Sequence, residues 1–148
     1  MQEGKNRIYI STLVIFWIIF AFFILTVSGM FLSFLPFARI FVGLPPIVVL
    51  SILGIALIVL AAKAKFTKIS KAFFILTGSS ALGMGASMVL HNLVYALLIK
   101  LFGEGLWAGM GDEPVFFILA TIVCPLGLLV GVIGCIVLLA KKKILLQP

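Results

Sequence analysis

A histidine and an asparagine stand side by side inside a long uncharged stretch of the sequence. His91 and Asn92 lie within residues 72–99, which contain no Asp, Glu, Lys or Arg. An imidazole can transfer a proton, form hydrogen bonds or bind a metal ion. Ionisable groups within membrane-spanning segments commonly belong to functional sites. This pair is therefore the first candidate for chemistry in the chain.

Three further side chains are expected near His91. Tyr95 follows it by one helical turn, and Asp112 and Glu113 come in the next loop. At ~1.5 Å per residue, His91 is about 12 Å from residue 99, so it lies at a shallow depth on the side of that loop. We expect a polar cluster there, either as a structural clamp between helix and loop or as a ligand or proton site.

A soft metal site is a further possibility for this region. Met84 and Met88 precede His91 on the same predicted helix, and Cys124 is expected at a comparable depth on the next one. Such ligands suit copper, or one of them could be an axial ligand to haem. Because a single histidine with scattered methionines has no metal-motif spacing, we expect no cofactor.

The candidate residues lie in or beside four long sequence segments that contain no charged residue. The chain has 148 residues, of which 64% are hydrophobic. Each run has at least the ~20 residues that cross a membrane as a helix. The sequence predicts an all-α integral membrane protein, a four-transmembrane-helix bundle forming one domain over residues 1–148. The predicted spans are about 8–35, 45–62, 71–99 and 113–140.

Basic residues are distributed unevenly between the two ends of the predicted helices. Of the 11 lysines and arginines, nine flank one end, and only Arg39 and Lys100 flank the other. The nine are Lys5, Arg7, Lys63, Lys65, Lys68, Lys71, Lys141, Lys142 and Lys143. The positive-inside rule then predicts that both termini lie in the cytoplasm. The membrane is expected to be the plasma or cytoplasmic membrane of the cell. We expect these lysines to contact anionic lipid headgroups, and no nucleic acid.

Small residues recur every four positions in the last two helices. Ser79, Gly83 and Ser87 mark one face of helix 3, and Gly127 and Gly131 mark one face of helix 4. Small residues allow the close backbone approach that holds helices together in lipid. We expect these faces to pack on each other or to form a homo-oligomer contact. Helix 1 is rich in phenylalanine and is expected at the periphery.

A proline interrupts helix 4. Pro125 has no backbone N–H and crowds the carbonyl group of Thr121, so a kink is predicted there. A kink of this kind bends a helix around its neighbours or allows it to move during transport.

No catalytic constellation is found, so we do not expect an enzyme. The spans contain no carboxylate, and a serine–histidine–carboxylate set is missing. The first hypothesis is an accessory subunit of a larger membrane complex or a self-associating helix-packing protein. The alternative is a small transporter or channel that uses His91, Asn92, Asp112 and Glu113. A metal- or haem-binding membrane protein is the third.

Overall fold

The computed structural model describes residues 2–31, 44–103 and 114–141, which form four helices. Their bounds are α1 Gln2–Phe31, α2 Leu44–Lys63, α3 Lys68–Phe102 and α4 Pro114–Ala140. All four helices are long and apolar enough to cross a membrane. This confirms the prediction of an all-helical protein with four potential membrane spans.

α3 is the central helix of the fold. It packs along α2 on one side and along α4 on the other, while α1 packs mainly on α2. Consecutive helices run antiparallel. Tyr9 near the start of α1 contacts Phe66 after the end of α2, and Gly134 near the end of α4 lies against Phe73 near the start of α3. The start of α1, the end of α2, the start of α3 and the end of α4 therefore share one end of the structure. This lysine end carries Arg7, Lys63, Lys65, Lys68, Lys71 and Lys141.

A four-residue connection, residues 64–67, joins α2 to α3. Lys71 donates a hydrogen bond from Nζ to the carbonyl oxygen of Ala62 at 2.9 Å, which places a positive charge at the C-terminal end of α2. The hydroxyl of Thr67 accepts the backbone N–H of Ser70 at 3.2 Å and caps α3. This cap explains why α3 begins at Lys68, three residues before the predicted start.

Helix α1, expected at the periphery, packs closely along one of its faces. Thr12, Phe16, Ile19 and Phe23 recur at steps of three and four and are buried. The ring of Phe16 meets that of Phe74 in α3 edge to face, with centroids 5.4 Å apart and planes at 89°. Bulky helices can pack closely when an aromatic ring opposes an aromatic ring, because the edge of one is attracted to the face of the other.

The tightest contact between α2 and α3 is a pair of glycines. A β-carbon built on Gly54 would lie 2.5 Å from the carbonyl oxygen of Gly78, and one on Gly78 would lie 2.8 Å from that of Gly54. One turn towards the start of α2, Ser51 lies against Gly85. The sequence predicted close packing for α3 with α4, whereas α3 packs closely on both neighbours.

Two of the buried hydroxyl groups are satisfied within their own helices. Thr12 donates to the carbonyl oxygen of Ile8 at 2.7 Å, and Thr77 donates to that of Phe73 at 2.9 Å. These bonds to the residue four positions earlier remove the cost of placing a hydroxyl in an apolar environment.

Candidate functional site

A cavity of about 300 Å³ lies between α2, α3 and α4, towards the end opposite the lysine end. Eight residues line it: Ile47 from α2, Met84, Met88, His91 and Asn92 from α3, and Phe117, Ala120 and Thr121 from α4. Ligand sites of proteins are mainly apolar concavities of roughly 300–1,000 Å³ with a few polar groups that orient the ligand. This cavity fits that description at the lower end of the range.

His91 is half-buried at the wall of the cavity. Its ring lies 5.9 Å from the ring of Phe117 in α4, measured between centroids, with the planes tilted by 51°. Asn92 is exposed and donates a hydrogen bond from Nδ2 to the carbonyl oxygen of Met88 at 2.8 Å. The structure thus brings His91 and Asn92 of the predicted cluster to one cavity.

The other members of the predicted polar cluster are placed differently. Tyr95 is half-buried on α3, one turn beyond His91, and does not belong to the lining of the cavity. Asp112 and Glu113 lie outside the described residues. From α4 the cavity lining receives one polar side chain, Thr121, and the aromatic ring of Phe117.

The α4 wall of the cavity has an irregular backbone. Helix α4 is α-helical over Pro114–Ile118, becomes a π-helix over Leu119–Val123 and is α-helical again over Cys124–Ala140. The backbone N–H of Cys124 donates to the carbonyl oxygen of Leu119, five residues earlier. Pro125 follows directly, at the position where the sequence predicts a kink.

The π-helical turn has a clear physical cause and a consequence for the cavity. Because Pro125 offers no N–H to the carbonyl group of Thr121, the regular i→i−4 ladder is interrupted there. The turn widens, and the Thr121 hydroxyl donates to the carbonyl oxygen of Phe117 at 2.7 Å. Ala120 and Thr121, both in the widened turn, line the cavity. Single π-helical turns inside α-helices occur frequently at functional sites.

The small residues singled out from the sequence lie at or near the α3–α4 contact, with one exception. A β-carbon on Gly127 would meet the Ser80 hydroxyl at 2.5 Å, and one on Gly131 would lie 2.8 Å from the backbone nitrogen of Thr77. Ser87 is buried.

Gly83 faces α4, where a β-carbon added to it would lie 2.8 Å from the sulfur of Cys124. Ser79 is instead exposed and donates to the carbonyl oxygen of Leu76 at 3.2 Å. The face of α3 that meets α4 is therefore rotated away from Ser79.

The structure brings three of the candidate metal ligands together and places the fourth elsewhere. Met84, Met88 and His91 line the cavity together. Cys124 does not line it but lies against Gly83, and both cysteines are free thiols. Among the described residues, no three His, Cys, Asp or Glu side chains form a group that could hold a metal ion. Methionine sulfur would have to supply most of the ligands of any metal bound here.

A second concavity, of about 560 Å³, runs along the outer side of α1. It is lined by Ile10, Leu13, Val14, Trp17, Ile18 and Ala21. All of these belong to one helix, and they offer almost no polar group to a ligand. A surface of this kind suits lipid chains, so the cavity between α2, α3 and α4 is the stronger candidate.

Comparison with models of protein families, with curated proteins and with solved structures finds no match for this chain. The sequence indicated His91, Asn92, Met84 and Met88, but it did not indicate Thr121 and Phe117 as lining residues. The available signal for Thr121 was its position four residues before Pro125, where a proline leaves a carbonyl group without its usual donor.

Proposed function

We propose that this chain is a small transporter of the plasma or cytoplasmic membrane that binds a small ligand in the cavity between α2, α3 and α4. The single observation that carries this proposal is the lining of the cavity. It combines His91, Asn92 and the Thr121 hydroxyl with an irregular turn of α4. Ionisable side chains within a membrane protein mark ligand pathways because they are costly to keep there otherwise, and His91 is the ionisable member of this lining.

A packing void would have a different lining. Protein interiors are close-packed, and the few empty cavities that persist are bounded by apolar side chains. The polar groups that line this cavity come from two different helices, α3 and α4. A ligand with one or two hydrogen-bonding or metal-binding atoms would be held by both helices at once.

The π-helical turn supplies an element that can move. Residues Leu119–Val123 already depart from α-helical geometry, and Pro125 keeps one hydrogen bond of the ladder from forming. Rearranging such a turn costs less than breaking a regular helix, because fewer hydrogen bonds must be lost. In this proposal a movement of the turn shifts Ala120 and Thr121 relative to α3. The cavity then opens alternately to the two sides of the membrane.

The distribution of charge supports an orientation for the proposed transporter. The described basic residues at the lysine end would lie in the cytoplasm together with both termini. There they would contact anionic headgroups, which attract lysines close to the membrane surface. The cavity then lies nearer to the outer surface.

An accessory or self-associating role is the other function predicted from the sequence. It was predicted from the small-residue faces of α3 and α4, and such faces can hold either two helices of one chain or two chains together. The contacts of Gly127 with Ser80 and of Gly131 with Thr77 are within one chain. The same glycines are therefore occupied and do not form a free surface for a partner.

Cysteine labelling tests whether the cavity receives solutes from water. The labelled protein carries Cys124→Ala and Cys135→Ala, which remove the native thiols, together with Thr121→Cys. It is treated with a charged, membrane-impermeant thiosulfonate from the side opposite the lysine end. The matched control is Ile122→Cys, which lies at nearly the same depth and is exposed like Thr121, but does not line the cavity. We expect Thr121→Cys to react at least tenfold faster, because a thiol in lipid is not ionised and the reagent does not enter lipid. Equal and slow reaction of both variants would contradict the proposal.

A further inference from the structure

Three soft donor groups on α3 face the cavity. Met84, Met88 and His91 are spaced as i, i+4 and i+7, so on a helix with 3.6 residues per turn they lie within an arc of about 60°. All three line the cavity, whereas Cys124, the soft ligand expected from α4, does not. Met84 is only 8% exposed, and Met88 and His91 are half-buried. The donors thus extend from the interior of the protein along one wall of the cavity.

We propose that the ligand of this cavity is a soft monovalent metal ion of the Cu(I) class, bound by the sulfur atoms of Met84 and Met88 and an imidazole nitrogen of His91. This inference rests on the proposed function, because it names the ligand of the same cavity. The ion keeps its charge of +1 throughout, so binding needs no oxidant or reductant. The remaining space leaves room for an ion that arrives with a water molecule or another small ligand still attached.

The types of the donor atoms select this class of ion. Thioether sulfur is a soft, neutral ligand that favours Cu(I), whereas Mg²⁺ and Ca²⁺ require carboxylate or carbonyl oxygen. Structural zinc sites use four ligands, among which thiolates and imidazoles dominate. Within the described part of the chain, the cavity lining contains no carboxylate and no thiol. A site with two thioethers and one imidazole therefore excludes the hard divalent ions on chemical grounds.

The surroundings are also compatible with a desolvated cation. The ring of Phe117 lies 5.9 Å from that of His91 and lines the same cavity from α4. The electron-rich face of an aromatic ring attracts a cation, and the attraction is stronger where water is excluded. Neutral ligands with one aromatic neighbour hold a monovalent ion at a modest desolvation cost. A divalent ion would need compensating negative charge that the described lining does not offer.

Silver binding tests this proposal without interference from redox chemistry. Ag(I) is a stable monovalent ion with the same preference for soft ligands. The purified full-length protein carries Cys124→Ala and Cys135→Ala, because free thiols would bind Ag(I) more tightly than thioethers. The amount bound after desalting is measured by elemental analysis, and the affinity is measured by calorimetry. We expect one Ag(I) per chain.

The variants identify the ligands. Met84→Leu together with Met88→Leu should weaken Ag(I) binding at least 100-fold, and His91→Ala at least 10-fold. Leucine conserves the volume of methionine, so the packing around Met84 is preserved. The matched control is Met30→Leu with Met110→Leu, two methionines elsewhere in the chain, which should leave the affinity unchanged. Circular dichroism of every variant confirms that the helices are retained.

The possible outcomes separate this inference from the proposed function. If no Ag(I) binds, or if Met84→Leu with Met88→Leu binds as tightly as the background protein, the metal proposal is overturned. If Thr121→Cys is still labelled from both sides of the membrane in that case, the transporter proposal stands with a ligand of another class. If Thr121→Cys is not labelled, the transporter proposal fails, whatever the Ag(I) measurement gives.

Discussion

Gly54 of α2 and Gly78 of α3 face each other so closely that neither position has room for a β-carbon. A β-carbon on Gly54 would lie 2.5 Å from the carbonyl oxygen of Gly78 and 2.8 Å from the backbone nitrogen of Leu82. Because the opposing atoms belong to the backbone, they cannot rotate away as a side chain could. In lipid, where apolar side chains gain little by leaving their solvent, such close approach is a main source of helix association.

The first prediction concerns this glycine pair. Gly54→Ala and Gly78→Ala should each lower the free energy of unfolding by about 1–3 kcal/mol, because an added methyl group forces α2 and α3 apart. The measurement is thermal unfolding in detergent followed by circular dichroism. Gly4→Ala in α1 is the matched control, since a β-carbon there meets no atom within 4 Å. Equal stability of Gly54→Ala and Gly4→Ala would show that the two helices are not in contact at Gly54.

The sequence predicted the number and type of elements because that information is local. Uncharged runs identify membrane-spanning helices without reference to any neighbour. The partners of each face were harder to predict, since α3 carries small residues on two sides: Gly78 and Gly85 contact α2, and Ser80 and Gly83 contact α4. A lone Gly54 in α2 shows no repeating pattern, so its role was missed.

The candidate site was predictable only in part, and for a related reason. His91 and Asn92 are conspicuous because polar side chains are rare in an apolar run. The cavity itself depends on the relative positions of three helices, which no local pattern contains. Ile47 and Phe117 are ordinary apolar residues in the sequence and become lining residues only in the assembled fold. The π-helical turn lies at the site of the predicted Pro125 kink, but its form requires the structure.

The second prediction distinguishes packing within a chain from packing between chains. A β-carbon on Gly131 would lie 2.8 Å from the backbone nitrogen of Thr77 and 3.1 Å from its Cα, both in the same chain. Gly131→Ala should therefore lower the melting temperature by several degrees, corresponding to about 1–3 kcal/mol, and leave the mass observed by native mass spectrometry unchanged. Loss of an oligomer without loss of stability would instead place Gly131 at an interface between chains.

The third prediction concerns the aromatic contact that joins α1 to α3. Phe74 is fully buried and contacts the rings of Phe16 and Phe66, with centroids 5.4 Å and 4.7 Å away. Phe74→Ala should destabilise the protein by about 3 kcal/mol, because it leaves a cavity that the neighbouring rings cannot fill. The control is Phe102→Ala at the end of α3, where the side chain is 65% exposed. Similar melting temperatures for the two variants would contradict a core position for Phe74.

The fourth prediction tests the role of the π-helical turn. Pro125→Ala restores a backbone N–H that can donate to the Thr121 carbonyl group, so the turn should become α-helical. Stability should stay the same or rise, while thiosulfonate labelling of Thr121→Cys should fall severalfold as residue 121 rotates out of the cavity. Pro114→Ala is the control, since proline in the first helical turn replaces no hydrogen bond. Unchanged labelling of Thr121→Cys in the Pro125→Ala variant would show that Pro125 does not determine whether residue 121 faces the cavity.

Access to the cavity from the two sides of the membrane tests the transporter proposal most directly. Thr121→Cys and Ile122→Cys, both with Cys124→Ala and Cys135→Ala, are treated with the charged thiosulfonate in right-side-out and in inside-out vesicles. The proposal predicts that Thr121→Cys reacts in both preparations and that Ile122→Cys reacts in neither. Reaction of Thr121→Cys in only one preparation would contradict transport, and its failure to react in either would contradict the site itself.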